Sequence, residues 1–146
     1  MQVFQDELIG AATVWAEGRS EPRTGQVAIA EVIRNRTRAR YASKGTVAST
    51  VLWPKQFSCW NESTVWRHKI LELDLDSPEV VEAVTAWRIA WDKNVESNVA
   101  NGANLYHTIN PPPEAKKWPP YWATKPGVKL VATIGDHKFY TDGNGK

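Results

Sequence analysis

The sequence predicts a mainly α protein, α+β in detail, with helices forming the core and a small β-hairpin near the C-terminus. Three observations predict this. Apolar residues recur at helical spacing in stretches 4–16 and 77–94. Between them, residues 23–38 are apolar on most sides, as a buried helix is. Residues 128–140 then switch to β-favouring side chains around Gly135-Asp136, a turn pair. At 146 residues the chain is expected to form a single domain, 1–146, long enough for a hydrophobic core.

In the first helix, Phe4, Leu8, Ala11, Ala12 and Trp15 fall on one face, taken as the core face. Asp6, Gly10, Thr13 and Glu17 form a separate strip, roughly opposite. Gly18 is the expected stop, because glycine accepts the left-handed conformation that ends helices. Ser20 and Pro22 mark a restart, with a cap-type residue ahead of a proline near the first turn. The second helix runs to about Arg38. Arg34, Arg36, Arg38 and Arg40 cluster at its end, where positive charge suits the helix dipole.

Residues 47–53 form a short helix halted by Pro54, residues 56–61 a loop, and residues 64–71 a further helix. Ser77-Pro78 opens a longer helix to about Asn94, with Val80, Val84, Trp87 and Trp91 on one stripe. Residues 101–127 read as irregular, because six prolines deny them a regular ladder or a long helix. Their aromatic residues argue for order and function instead of disorder. Residues 142–146 read as a loose tail.

Composition narrows the function. A formal net charge of +2 is too weak for a nucleic-acid partner, and it suits work near anionic polymers such as a bacterial wall. The single cysteine, Cys59, rules out an internal disulfide framework. No apolar run approaches the ~20 residues of a membrane span, so no membrane insertion is expected. Residues 1–8 are mixed and acidic and do not read as a secretory signal. His68, His107 and His137 follow no metal-ligand spacing, H-E-x-x-H is lacking, and Asp142-Gly143-Asn144-Gly145 is too short for a calcium loop. No metal or cofactor is expected. Eight tryptophans are the compositional outlier, suited either to a dense core or to stacking on sugar rings.

The most informative residue is Glu17. It closes one helix, a tight turn follows, and a buried helix begins. Such geometry fixes a single carboxylic acid beside a cleft, which is what protonation of a departing glycosidic oxygen requires. Three features raise its pKa in this reading: the negative end of the helix dipole, partial burial, and the like charge of Glu21; Arg19 opposes them. Glu21 is either a base or electrostatic partner or a helix N-terminal residue suited to the dipole. No carboxylate pair is located, which favours a one-acid reaction, lytic transglycosylation, in which Glu17 gives a proton to the leaving oxygen and takes one from the sugar's own 6-hydroxyl to leave a 1,6-anhydro product. Hydrolysis by an activated water is the close competitor.

The words around Glu17 resemble a known family. A-E-G-R-S-E-P (16–22) followed by G-Q-V-A-I-A-E-V-I-R-N-R (25–36) resembles the pattern small-E-x-R-x-E-P-x-x-G-Q-x-A-V-A-x-V-I-x-N-R of the SleB-like cell-wall hydrolase family. Gln56-Phe57-Ser58, Ala103-Asn104-Leu105-Tyr106 and Ile134-Gly135-Asp136-His137-Lys138-Phe139-Tyr140 resemble three further family blocks, in the family's order. The resemblance implies a lysozyme-like helical domain and cleavage of the peptidoglycan glycan strand between N-acetylmuramic acid and N-acetylglucosamine. It places the catalytic glutamate at Glu17. Gly18 departs from the family, standing where a serine often follows the glutamate. The family's wall-targeting repeats and secretion signal also have no counterpart in these residues. The chain therefore looks like a phage endolysin, made in the host cytoplasm without a signal peptide, released by a separate pore-forming protein, and acting as a monomer.

Substrate contacts are expected from Glu21, Gln56, Phe57, Ser58, Trp60, Tyr106, Trp122 and His137. Gln56, Phe57 and Ser58 offer amide, ring and hydroxyl to N-acetyl sugars. Tyr106 either holds the sugar or acid through its hydroxyl or packs inside. Trp60, Trp118, Tyr121 and Trp122 either stack on sugars or pack, and His137 either meets substrate or makes a structural hydrogen bond. Trp15, Trp87 and Trp91 belong to the core. Two rivals stand beside this reading: a wall peptidase or amidase using Cys59 with His107 or His137, and a non-catalytic glycan-binding module built on the tryptophans and the proline-rich loop.

Overall fold

The structure, a computed structural model, describes residues 3–61 and 65–143. Five helices run in chain order: α1 (Gln5–Gly18), α2 (Arg23–Ala39), α3 (Val47–Val51), α4 (Val65–Leu71) and α5 (Pro78–Trp91). Three strands follow: β1 (Leu105–Thr108), β2 (Lys129–Ile134) and β3 (His137–Thr141). Short 3-10 turns lie at Ser58–Trp60 and Tyr121–Thr124. The fold is mainly α with one small sheet, as the sequence predicts. The expected helix start at Thr64 and the tail residues 144–146 lie outside the described residues.

Helix α2 is the axis of the core. Every residue from Gly25 to Thr37 is buried, and α1 and α5 pack on it and on each other. Pro22 is its N-cap, with no intrahelical N–H to lose, and Arg40 ends it in a left-handed conformation at φ 54°. Ser77 caps α5 by accepting a hydrogen bond from the Val80 N–H, ahead of Pro78 at the first turn. Trp87 lies in the core and stacks on the partly buried Trp91, with ring centroids 5.0 Å apart.

The first helix differs from the expected face assignment. Phe4 and Leu8 are exposed (66% and 41%), whereas Gly10 and Thr13 are buried. Helix α1 is enclosed along most of its length by α2, α3 and α5. A Cβ on Gly10 would enter the Trp87 ring, so the missing side chain is what lets α5 approach. Thr13 is satisfied internally: its hydroxyl donates to the Ile9 carbonyl and accepts from the Trp60 indole N–H.

Gly18 does not end α1 in a left-handed residue; the helix passes through it and Arg19 is still right-handed. Its role is steric. A Cβ there would lie 2.5 Å from Cδ1 of Ile29. That methyl is the atom by which isoleucine exceeds the valine of the family pattern at this place. The missing side chain at Gly18 thus leaves room for Ile29. The carbonyl of Gly18 accepts hydrogen bonds from the Gln26 side chain (3.1 Å) and the Glu21 N–H (2.9 Å).

Arg34 and Arg36 also differ from expectation. They are buried ligands of backbone carbonyls and do not serve as solvated charges at a helix end. Arg34 Nη1 donates to the carbonyls of Ala90 and Ser97, both at 2.7 Å, and Arg36 Nε donates to that of Asn104 at 2.6 Å. Glu31, fully buried, accepts from the N–H groups of Val99 (3.0 Å) and Ala100 (2.9 Å) and from the Ser97 hydroxyl. Asn35 donates to the Ala103 carbonyl at 2.9 Å. One face of α2 therefore clamps the whole segment 97–104 that leads into β1.

The sheet is antiparallel in the order β1-β3-β2. The hairpin of β2 and β3 turns at Gly135-Asp136 as predicted, and β1 adds a third strand that the sequence reading left in an irregular stretch. Strand β1 ends before the proline run begins at Pro111. Phe139 of β3 is fully buried and carries the core into the sheet.

The Gly18–Ile29 pair generates a stability test. Gly18→Ser alone is expected to destabilise the protein by about 1–3 kcal/mol through overpacking. Adding Ile29→Val should restore most of that loss. Denaturant unfolding of the two single variants and the double variant measures the coupling.

Candidate active site

The last turn of α1 presents Glu17 to a cleft of about 470 Å³ between the helices and the sheet. Its near walls are Arg36, Gln56, Ser58, Tyr106 and His137; Lys55 lies at the rim. The far wall comes from β1 and the proline-rich segment: His107, Thr108, Glu114, Trp118 and Trp122.

The Tyr106 hydroxyl donates a 2.9 Å hydrogen bond to Glu17 Oε1. Burial pushes the Glu17 carboxyl above the usual carboxylate range; the Tyr106 hydrogen bond and the positive charge of Arg36 pull it part of the way back. The expected contributions of Glu21 and Arg19 are not among the causes. Arg36, read from the sequence as a charge suited to the end of the helix dipole, is the cation that acts on Glu17. Burial raises the Tyr106 phenol well above its ordinary value, so it is a donor at all working pH values.

Glu21 does not line this cleft. Its carboxylate is buried beneath the hairpin, where it accepts from the Asp136 N–H (2.9 Å to Oε1) and pairs with His137 Nδ1 at 2.6 Å. A Cβ on Gly135 would collide with this carboxylate, and glycine also serves the positive φ of 56° there. A Cβ on Gly25 would press on Glu21 at 3.1 Å. The E-P-x-x-G-Q words thus act together: Glu21 latches the hairpin, Gly25 leaves it room, and Gln26 caps α1. His137 is held by that latch, and its ring lies edge-on to Tyr106 at 5.3 Å.

The remaining candidates divide. Gln56, Ser58 and Trp122 line the cleft. Phe57 is buried behind Tyr106, edge-on at 6.5 Å, with the Arg36 guanidinium 5.0 Å from its ring centroid. Trp60 points away, to Thr13 of α1. Tyr121 is exposed (79%) and sits beside Lys125. Trp118, by contrast, donates its indole N–H to the Thr108 carbonyl at 2.9 Å. His107 Nδ1 meets the same carbonyl at 2.7 Å, and its Nε2 meets the Tyr140 hydroxyl at 2.8 Å. The His107 ring packs against Trp118, Trp122 and Tyr140. Burial lowers its pKa, and the ring forms part of the aromatic wall.

The Cys59 alternative fails on burial. Cys59 is 1% exposed, and desolvation, with the nearby charge of Glu17, pushes its thiol far up. A thiol kept protonated is a poor nucleophile. Both histidines offered as its partners have other hydrogen bonds. Among the described residues no group of three or more His, Cys, Asp or Glu side chains is placed to hold a metal ion. No described helix is long and apolar enough to cross a membrane.

Comparison with known proteins bears on this geometry. A family model described as cell wall hydrolase matches residues 20–140. The chain belongs to the cell wall hydrolase family. Two spore cortex-lytic enzymes, from Bacillus cereus and Oceanobacillus iheyensis, are each 30% identical over 135 and 134 residues. These alignments cover 92% of this chain but only 43% and 41% of those proteins, so the chain spans less than half their length. The catalytic domain of the germination-specific lytic transglycosylase SleB from Bacillus anthracis superposes with a TM-score of 0.64 at 25% identity, covering 95% of this chain and 97% of that one. The catalytic domain of Bacillus cereus SleB gives 0.63 at 24% identity, over 96% and 93%, a likeness of fold. The family match begins after Glu17, so the role of that residue rests on the geometry of the cleft.

Two variants follow from the Glu17 environment. A carboxyl whose folded pKa is raised contributes stability that is full below its unfolded value and lost as pH rises through the folded one. Glu17→Gln should therefore be at least as stable as the parent, with a Tm advantage that grows from about pH 4 upward. Tyr106→Phe removes a donor to the carboxylate and should move the alkaline limb of the activity profile to higher pH. A limb that stays put or moves down would show that Tyr106 does not tune the acid.

Proposed function

We propose that this protein cleaves the glycan strand of peptidoglycan between N-acetylmuramic acid and N-acetylglucosamine, with Glu17 as the single acid and base. The observation that carries this reading is the state of Glu17: a partly buried residue at the edge of a cleft, its carboxyl pushed above the usual carboxylate range by desolvation, with one oxygen engaged by Tyr106. Oε1 accepts from Tyr106, which leaves Oε2 to carry the proton toward the bridging oxygen.

In the reaction so assigned, the bond from muramic C1 to the bridging oxygen breaks. Its electron pair goes to that oxygen, which takes the Glu17 proton. The resulting carboxylate, steadied by Tyr106 and Arg36, removes the proton from the 6-hydroxyl of the same muramic residue. That oxygen bonds to C1 and closes a 1,6-anhydro ring. No water is consumed. Two things support this course over hydrolysis. Glu21 is committed to the hairpin and cannot serve as a second group beside Glu17. The superposable Bacillus anthracis domain is described as a lytic transglycosylase.

Mass spectrometry of wall digested by the pure protein tests the reaction. Anhydro-muramic ends are expected, and reducing muramic ends would mean hydrolysis. New peptide termini would overturn the glycosidase reading. Glu17→Gln should lower the rate by about 10²–10⁴-fold, whereas Cys59→Ala should retain turnover.

The endolysin setting is proposed on the sequence expectation alone. Expression inside a bacterium should leave the culture intact until a membrane pore-forming protein is co-expressed, and then lyse it. Lysis that proceeds equally without the pore would remove the endolysin role and leave the chemistry untouched.

A further inference from the structure

A second pocket, of about 380 Å³, adjoins the cleft. The two share Arg36, Lys55, Gln56, Tyr106 and Trp122 as a common wall. The volume falls in the range of small-ligand sites. Its charge differs from that of the cleft: Arg36, Lys55 and Lys125 line it against one acid, Asp142. That acid is already engaged, since it accepts from Asn104 Nδ2 at 2.8 Å and lies in the field of Arg36. Lys55 and Lys125 are both exposed at the pocket edge. Lys55 holds a left-handed backbone at φ 63°, in a tight turn closed by the Gln56 N–H on the Trp53 carbonyl at 3.2 Å. A non-glycine residue in that conformation is strained, and such strain clusters at ligand clamps.

We propose that this pocket receives the carboxylate-bearing branch of muramic acid, the lactyl ether or the peptide stem it carries. The inference rests on the glycan-cleavage reading above. N-acetyl sugars are uncharged, so a cleft for a linear strand gains nothing from three cations at its side. Muramic acid is the sugar of the strand that carries an acid, and its branch leaves the ring at C3, on the same residue whose C1 Glu17 attends. Tyr106 marks that place, since it forms part of the common wall and touches Glu17. A stem-bearing strand lying in the cleft would therefore send its carboxylates between Lys55 and Lys125. This feature selects wall glycan over chitin-like polymers of the same backbone.

Binding to the Glu17→Gln protein tests the proposal without cleavage. Three tetrasaccharides serve as probes: muramyl glycan with its stems, the same glycan stripped of stems but keeping the lactyl carboxylate, and a chitin tetrasaccharide. Titration calorimetry should show the carboxylate-bearing probes about tenfold tighter than chitin at low salt, with the gap closing as salt rises. If the stripped glycan matches the stem-bearing one, a carboxylate at either place on the branch suffices; if it matches chitin, the stem's carboxylates are the ligand. Lys55→Gln with Lys125→Gln, both on the surface, should bring all probes within about twofold. Equal affinities for the three probes, or a preference that survives the double substitution, would overturn the branch pocket. Failure of the wild-type protein to cut wall would instead overturn the glycosidase reading, so the two failures are distinct.

Discussion

The polar face of α2 is the constraint on which the site depends. Four consecutive-turn residues, Glu31, Arg34, Asn35 and Arg36, are buried, and each hydrogen-bonds backbone in the 97–104 segment or at the end of α5. A buried charge is costly unless it is paired and fully hydrogen-bonded. These side chains meet that requirement only when the segment is in place, so the helix and the chain that follows α5 define each other. The segment leads directly into β1, and β1 carries Tyr106 to Glu17. The position of the hydrogen-bond donor to Glu17 is therefore set by a clamp on α2, one member of which, Arg36, also lines the cleft.

Around Glu17, opposing effects act on the carboxyl, as the proposed role requires. Desolvation favours the neutral form, and Tyr106 and Arg36 favour the anion. An acid stabilised only by burial would hold its proton too tightly to release it. One surrounded only by donors would lose it below working pH. A fixed phenol and a fixed guanidinium also need no reorganisation when charge appears. Both are held by other contacts: Tyr106 by Phe57, His137 and Phe139, and Arg36 by Asn104 and Gln56.

Much of this was legible in the chain, and the remainder failed for physical reasons. The apolar circumference of α2, the Ser77-Pro78 cap and the Gly135-Asp136 turn each carry a local signal, and each formed the expected element. Phe4 and Leu8 misled because periodicity reports a face without saying how much of the helix is covered; the glycine and threonine of α1 lie against neighbours instead. Arg34 and Arg36 misled because a charge looks solvated until its carbonyl partners, some 56–68 positions later, are known. Strand β1 is four residues long and pairs with β3 about 30 residues away, so nothing local announces it. In the site, Glu17, Gln56, Ser58, Tyr106, Trp122 and His137 were singled out and do meet at the cleft. Lys55 and Glu114 carried no signal beyond being charged residues in loops.

The latch between Glu21 and the hairpin spans 115 positions of sequence, from the first helical junction to the turn before the last strand. A polypeptide still on the ribosome has exposed Glu17 long before Asp136 and His137 emerge, and before β3 can brace Tyr106. Its carboxyl then lacks the burial that raises its pKa in the folded protein. The surroundings of Glu17 are thus complete only once the final strand is in place.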